Sequence, residues 1–235
     1  MPTEKSFGVS SFSISMLTIK DIGGNTPRIG EDFPWADNMP ALFGVIEQIT
    51  RHKIILMGPS TWKALEKNKM SKRKILSTNN RLYFVFTKSK MIKVYSKIPV
   101  PIFFISSLEK IEEIWSGNAK LEKYKDKKQE EKIKELIKKY GDGLCFRADN
   151  KIKPEIVVFG GGKLYQTMLS YANVIHTLLI YDSLPGDVVL PIPNKKEWSI
   201  VSGTKEYNKN KENECDFLYS VWGRKISTQK LLRIS

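Results

Sequence analysis

Hydrophobic and polar positions alternate between strand-like and helical spacing over the first third of the chain. Apolar residues alternate with serine over residues 12–19, which predicts a half-buried opening strand. Apolar residues then recur at helical spacing and predict a helix over Pro40–Thr50, with the proline in its first turn. Ile54–Met57 and Leu82–Phe86 are short apolar runs typical of buried strands, and a second helix is predicted to begin at Ser60.

The same order of strand, helix and strand recurs after residue 155. Residues 156–159 predict a strand, residues 163–170 a helix, and Val174–Ile180 a further strand. This order is typical of a parallel sheet. Segments around residue 200 and at 217–222, separated by the polar run 208–214, predict an antiparallel hairpin that closes the sheet. The pattern therefore predicts a single α/β domain over residues 1–235, with a mixed, mostly parallel sheet flanked by helices.

One segment does not fit the alternating pattern. Residues 107–150, approximately, are rich in Lys and Glu, and the apolar positions of the long helix predicted there fall only in its C-terminal half. We interpret the segment as a charged helical insertion within the domain. It either packs its short apolar stripe onto the domain or docks a protein partner or an anionic surface.

Composition narrows the class of protein. The chain of 235 residues is 41% hydrophobic and 27% charged, which is typical of a globular protein. No apolar run approaches the ~20 residues of a membrane span. The two cysteines have no Cys-x-x-Cys spacing, and residues 1–11 lack the apolar stretch of a secretory signal, so a cytoplasmic location and a short polar leader are expected. The two histidines are isolated in sequence, so no metal site is expected.

The formal net charge of +14 favours an anionic partner. Nucleic acid is not favoured, because the lysines are not interleaved with aromatic residues. The strongest local signal is the sequence Val-Val-Phe-Gly-Gly-Gly-Lys-Leu-Tyr at 157–165, in which an apolar strand, three glycines and a helix start follow one another. Backbone N–H groups in such a turn can approach a phosphate closely, although a plain tight turn is the alternative. Tyr165 stands where a dinucleotide fingerprint would have its last glycine.

Four motifs occur in a fixed order along the chain: Phe33-Pro34-Trp35, then Met57-Gly58-x-x-Thr61-Trp62, then Arg81 before a strand that ends in Thr87-Lys88, then Gly160-Gly161-x-x-Leu164-Tyr165. The series resembles dihydrofolate reductases, most closely the phage-encoded members with a short active-site loop, over roughly residues 12–222 apart from the insertion. The resemblance implies the fold of that family and NADPH-dependent reduction of 7,8-dihydrofolate to tetrahydrofolate, with hydride to C6 and a proton to N5. It implies a role in one-carbon and thymidylate metabolism, in the host cytoplasm if the gene is viral.

The resemblance also implies roles for individual residues. NADPH would be bound by the two glycine turns, a strand end and the loop, namely Gly160, Gly161, Gly162, Lys163, Leu164, Tyr165, Ser60, Thr61, Thr87, Lys88, Ile29 and Gly30. Folate would be bound by Phe33, Leu42, Phe43, Ile46, Arg81, Phe159 and Leu178. Arg81 would pair with the glutamate carboxylate of folate. Trp35 and Asp37 are the candidate catalytic residues.

The chain departs from the family where the chemistry is performed. The family acid in the first helix falls on Leu42 or Pro40, depending on the direction of counting, and its threonine partner falls on Leu178. A paired loss is expected, because one buried polar group without the other would be costly. Asp37 either reaches the pocket from a lengthened loop or caps the helix. Pro59 stands where many members have an arginine.

These departures leave three hypotheses about the function open. The chain is a slow reductase, a related pterin or pyrimidine reductase, or a catalytically impaired scaffold kept as a structural subunit of an assembly.

Overall fold

The computed structural model describes residues 12–26, 39–67, 81–87, 93–95, 102–111, 135, 155–183, 186, 188–190, 193–211 and 213–225. Within these ranges the strands and helices are β1 Ser13–Asp21, β2 Asn25–Thr26, α1 Pro40–Thr50, β3 Ile54–Met57, α2 Pro59–Lys67, β4 Leu82–Phe86, β5 Lys93–Tyr95, β6 Ile102–Ile105, β7 Glu155–Val158, α3 Gly162–Met168, β8 Val174–Ile180, β9 Val188–Val189, β10 Trp198–Tyr207 and β11 Phe217–Arg224.

The described strands form a nine-stranded sheet in the order β10-β11-β8-β1-β7-β3-β4-β6-β5, and β2 pairs separately with β9. The neighbours from β8 to β6 run parallel. The hairpin of β10 and β11 adds antiparallel strands on one side, and β5 adds one on the other. The predicted mixed, mostly parallel α/β sheet is confirmed, and so is its closing hairpin.

Strand β1 corrects one expectation. It was expected to be half-buried, yet it lies between β7 and β8 and is buried on both faces along nearly its whole length. Two of its polar side chains are accommodated by hydrogen bonds: Ser15 Oγ donates to Glu155 Oε1 at 2.6 Å, and the Thr18 and Thr177 hydroxyls lie 3.2 Å apart. Alternation of polar and apolar residues therefore does not mark a solvent-facing side here.

Helices cover both faces of the sheet. On one face α1 packs its apolar residues Leu42, Phe43, Ile46 and Ile49 onto the sheet, and Trp62 of α2 joins the same cluster. On the other face α3 contributes Leu164, Tyr165 and Met168. Parallel sheets bury both faces in this way because their crossover helices pack on both sides.

The start of α1 is held from a distant part of the chain. Met39 precedes the helix and makes no side-chain cap, but Asn213 Oδ1 accepts the Ala41 N–H at 3.2 Å. Asn213 is itself buried in the loop between β10 and β11. The Cys215 N–H donates to Met39 Sδ at 3.4 Å and ties the same loop to the residue before the helix.

The amino end of the parallel strands carries polar residues that pair with one another. Lys53 Nζ lies 2.6 Å from Glu155 Oε2, and the other oxygen of that carboxylate accepts the Ser15 hydroxyl. His176 Nδ1 lies 2.9 Å from the Tyr219 hydroxyl, and the two rings stack. Burial, with Lys53 adding to the effect, lowers the pKa of His176 to about 4.

The predicted insertion at about 107–150 lies outside the described residues, apart from residues 107–111 and the helical residue Glu135. Across the part of the chain that the structure describes, no helix has the length and apolar character needed to cross a bilayer.

Candidate functional site

Two glycine turns meet at the carboxyl end of the sheet. Gly58 follows β3 and Gly160 follows β7, and the Gly58 N–H donates to the Gly160 carbonyl at 2.9 Å. A Cβ on Gly160 would lie 2.6 Å from Thr61 Oγ1, and one on Gly161 would lie 3.3 Å from the Gly58 Cα. Gly160 and Gly161 also have φ values of 144° and 96°, which favour glycine. Only glycines allow the turns to approach this closely.

Two helices begin where these turns meet. Helix α2 begins at Pro59 and α3 at Gly162, and neither has an acidic residue in its first turn. Ser60 and Thr61 are half-exposed, and their hydroxyls make no hydrogen bond within the described residues. Lys163 is exposed at the start of α3. Helix N-terminal N–H groups, free hydroxyls and a lysine are the groups that bind phosphate, so the arrangement suits an anionic ligand.

Leu164 and Tyr165 face the sheet. Both are buried, and the Tyr165 hydroxyl donates to the carbonyl of Leu17 in β1. Burial raises the pKa of Tyr165 far above its usual range, so the phenol stays protonated. This hydrogen bond fixes the first turn of α3 against β1.

Thr87 lies at the same end of the sheet, directly after β4. Its N–H donates to the Ile105 carbonyl at 2.7 Å, while its side chain is half-exposed. The structure therefore brings Ser60, Thr61, Thr87 and Gly160–Tyr165 to one edge.

The predicted folate-binding residues of the helix and strands also come together. Leu42, Phe43 and Ile46 of α1 share one buried cluster with Phe159 and Leu178. Each is at most 8% exposed. They form one continuous apolar wall between α1 and the sheet.

The positions matched to the family acid and threonine are apolar. Leu42 and Leu178 are both fully buried in this cluster, Pro40 is exposed, and α1 has no acidic residue in its first turn. Thr177 points to the opposite face, as expected, where its hydroxyl meets Thr18. Within the described residues the wall has no carboxylate at either matched position.

Arg81 lies at the amino end of β4 and is 2% exposed. Its Nη2 donates to the Glu47 carbonyl at 3.1 Å, in the last turn of α1. A cation is favourable at a helix C-terminus, and α1 has no basic residue of its own there. The guanidinium therefore has a structural partner, and its pairing with a folate carboxylate stays a prediction.

Six predicted residues lie outside the described residues, so their placement stays a prediction. They are Ile29, Gly30, Phe33, Trp35, Asp37 and Lys88.

Three residues near the site were missed by sequence reasoning. Asp21 is buried at the end of β1, where its two oxygens accept from the N–H (2.7 Å) and the side chain (3.1 Å) of Asn25 and hold the following turn. Asn213 caps α1, and Lys20 is a lysine inside a buried strand. None of the three gave a clear signal in the sequence, because the charged pair Lys20-Asp21 follows the opening apolar run as the end of an exposed strand would.

The second half of the chain is similar to proteins of known family. Residues 117–224, which include the second glycine turn and the closing hairpin, match the family model described as dihydrofolate reductase. The match covers just under half of the chain, and this part of the chain is similar to dihydrofolate reductases. The resemblance found in the ordered motifs is thereby confirmed.

Two curated members of the dihydrofolate reductase family match part of the chain. Dihydrofolate reductase type 6 of Proteus mirabilis is 28% identical over 76 residues, which are 32% of this chain and 44% of that protein. Dihydrofolate reductase of Staphylococcus haemolyticus is 29% identical over 70 residues, which are 30% of this chain and 42% of that protein. The matched part of the chain thus spans less than half the length of these relatives.

Among solved structures, the chain is similar to dihydrofolate reductase from Enterococcus faecalis complexed with NADP(H) and RAB-propyl. The TM-score is 0.59 at 16% identity, over 91% of this chain and 97% of that one. The likeness extends the dihydrofolate reductase fold to nearly the whole chain.

Proposed function

We propose that the protein binds NADPH and reduces 7,8-dihydrofolate to 5,6,7,8-tetrahydrofolate, adding hydride at C6 and a proton at N5. The observation that carries the proposal is the meeting of Gly58 with Gly160 and Gly161 at the start of two helices, in a chain whose residues 117–224 match the dihydrofolate reductase model. The product would supply one-carbon and thymidylate metabolism in the cytoplasm.

The edge of the sheet where the two glycine turns meet carries groups that suit the phosphates of NADPH. The N–H groups that open α2, together with the Ser60 and Thr61 hydroxyls, would bind the diphosphate from one side. Gly160 to Gly162 and Lys163 would bind it from the other side. Thr87 and Lys88 would meet the 2′-phosphate, for which a lysine is well suited. When bound, NADPH supplies the hydride.

The apolar wall between α1 and the sheet would bind the pteridine ring through apolar contacts that match its flat shape. Leu42, Phe43, Ile46, Phe159 and Leu178 form the buried wall, and Phe33 and Trp35 would close it from the loop. An apolar wall excludes water and holds two flat rings face to face, which is the main requirement of hydride transfer. Arg81 would pair with the glutamate carboxylate of folate, and this pairing would replace part of its hydrogen bonding to the Glu47 carbonyl of α1.

The proton would come from Asp37 or from water. Leu42 and Leu178 share one apolar cluster, which supports a joint replacement of the family acid and its threonine. A positioned acid typically contributes roughly 10²- to 10⁴-fold in rate, so slow turnover is expected.

The direct test follows NADPH oxidation with 7,8-dihydrofolate from pH 5 to pH 9, alongside NADPH binding by fluorescence. Wild type should bind NADPH at micromolar concentration and turn over slowly. Asp37→Asn abolishes turnover if Asp37 delivers the proton and leaves it unchanged if water does. Wild-type protein that binds no NADPH would refute the proposal.

A second test restores the family pair. Leu42→Asp buries a lone carboxylate and should lower the unfolding free energy by about 3 kcal/mol. Adding Leu178→Thr should recover about 1 kcal/mol and raise turnover about tenfold or more over wild type. Urea unfolding and NADPH oxidation measure both effects. If Leu178→Thr restores neither unfolding free energy nor turnover in the Leu42→Asp variant, the two positions are not partners.

A structural subunit is the second candidate. The observations that favour it are the complete burial of Leu42 and Leu178 in one apolar cluster and the contact of Arg81 with the Glu47 carbonyl. The lysine-rich insertion would then be the docking surface for a partner protein. NADPH binding distinguishes the two candidates, because a scaffold has no use for the glycine turns as a ligand site.

A further inference from the structure

Lys20 is a lysine with little exposed surface in a buried strand of the sheet. It lies one residue before the end of β1, pairs with Leu179 of β8 and is 6% exposed. Side chains alternate along a strand, so Lys20 shares a face with Met16 and Thr18, which is the face covered by α3. A lysine so deeply buried needs a reason, because charged side chains are rarely buried without a partner.

Lys20 has no such partner within the part of the chain that the structure describes. No hydrogen bond or ion pair there involves its ammonium group. The Thr18 and Thr177 hydroxyls, which lie on the same face of β1 and β8, pair with each other. Burial lowers the pKa of Lys20, which means that the charged form is poorly stabilised. An anion beside it would remove that penalty.

The position of Lys20 indicates which anion. Met16 pairs with Val158, and two residues beyond Val158 the chain enters the turn at Gly160. Tyr165 reaches back from that turn to the Leu17 carbonyl, so β1 beyond Leu17 runs alongside the turn. On its other face β1 carries Leu17 and Ile19, which belong to the cluster of the folate wall.

We propose that the Lys20 ammonium binds a phosphate oxygen of NADPH on the nicotinamide side of the diphosphate. The inference rests on the proposed function, because it assigns a residue to that same cofactor. We assign Lys20 to the nicotinamide side of the diphosphate for two reasons. Hydride transfer requires the nicotinamide ring to lie beside the folate wall. Strand β1 contributes residues to this wall and also runs alongside the glycine turn. Lys20 is then a positioning residue for the reactive end of the cofactor.

Calorimetry of NADPH binding tests the proposal with wild type, Lys20→Met, Lys20→Arg and the exposed control Lys196→Met. Lys20→Met should weaken NADPH about tenfold or more, while Lys20→Arg retains most of the affinity. Reduced nicotinamide mononucleotide should be weakened similarly, and 2′,5′-ADP should not. Titrations in buffers of different ionisation enthalpy between pH 8 and pH 10 should show proton uptake that Lys20→Met abolishes and Lys196→Met retains.

Thermal unfolding without cofactor gives a readout independent of activity. Lys20→Met should raise the Tm of the free protein, because it removes a buried charge, and should reduce the rise in Tm that NADPH produces. Unchanged NADPH affinity in Lys20→Met, or a lower Tm of the free variant, would overturn the inference while leaving the proposed function intact. Wild-type protein that binds no NADPH would remove the proposed function and the inference with it.

Discussion

Several polar side chains at the amino end of the parallel strands are paired within the protein, whereas, in the part of the chain that the structure describes, several beside the glycine turns at the carboxyl end are not. At the amino end Lys53 pairs with Glu155, His176 contacts Tyr219, and Arg81 Nη2 donates to the Glu47 carbonyl at the end of α1. At the carboxyl end the Ser60 and Thr61 hydroxyls and the Lys20 ammonium have no partner among the described residues.

This difference separates stability from binding. Polar groups that are paired within the protein hold the fold together, whereas polar groups left unpaired beside a turn of glycines are available to a ligand. Changes at the amino end should therefore alter stability and spare cofactor binding, and changes at the carboxyl end should do the reverse unless they distort the turns or remove the Lys20 charge.

The largest expected effect comes from a change that distorts a turn. Gly160→Val places a Cβ against Thr61 Oγ1 at a φ of 144°, so it should lower the unfolding free energy by about 3 kcal/mol and weaken NADPH more than 100-fold. Gly44→Ala is the matched control, because a Cβ there meets nothing within 4 Å; it should stabilise by about 0.5–1 kcal/mol. Urea unfolding and NADPH fluorescence measure both. Tight NADPH binding by Gly160→Val would show that the turn is not the cofactor site.

The second effect belongs to the amino end and depends on pH. The pKa of His176 is lowered to about 4 from 6.5, so the unfolded chain binds the proton more readily and stability falls as pH drops from 6.5 towards 4. Partial exposure limits the loss to about 2 kcal/mol. Urea unfolding at pH 7 and pH 5 should show this loss of unfolding free energy in wild type. The control His52→Asn should show the same loss; asparagine is suitable there because it readily adopts the φ of 57° at that position. His176→Gln should reduce it while leaving NADPH affinity unchanged; an undiminished loss would exclude His176 as the cause.

The smallest effect tests a single free hydroxyl at the carboxyl end. Thr61→Val keeps the shape of the side chain and removes the hydroxyl, so it should weaken NADPH about 5- to 10-fold, or about 1 kcal/mol, with little change in Tm. The exposed Thr204→Val on β10 is the control and should change neither quantity. A drop in Tm without a change in NADPH affinity would assign Thr61 to the fold alone.

The sequence predicted the main elements closely and the small ones poorly. The bounds of α1, β3, β4 and β8 agree with the prediction, because each is a clear apolar run or periodic segment ended by Gly, Pro or a polar residue. The two-residue strands β2 and β9 exist only because distant segments pair, and β6 is a four-residue apolar run that periodicity does not resolve.

The candidate site could be predicted from the sequence where a residue type indicates one local structure. Glycines in a turn before a helix predicted a candidate anion site where two glycine turns do meet, and the ordered motifs predicted the similarity to dihydrofolate reductases. Lys20 and Asn213 were missed because their roles depend on burial and on contacts across many residues, which the local pattern does not contain. The buried state of β1 was missed for the same reason.

The position of β1 between β7 and β8 has a consequence for how the chain folds during synthesis. Ser13 pairs with Glu155 and Ser15 with Val174, so neither neighbour of this strand exists until about 140 further residues have been made. Contacts of such long sequence separation slow folding and leave an apolar strand exposed in the meantime. The strand that carries Leu17, Ile19 and Lys20 is therefore the segment that a nascent chain must protect longest from aggregation, and a chaperone would be expected to bind there first.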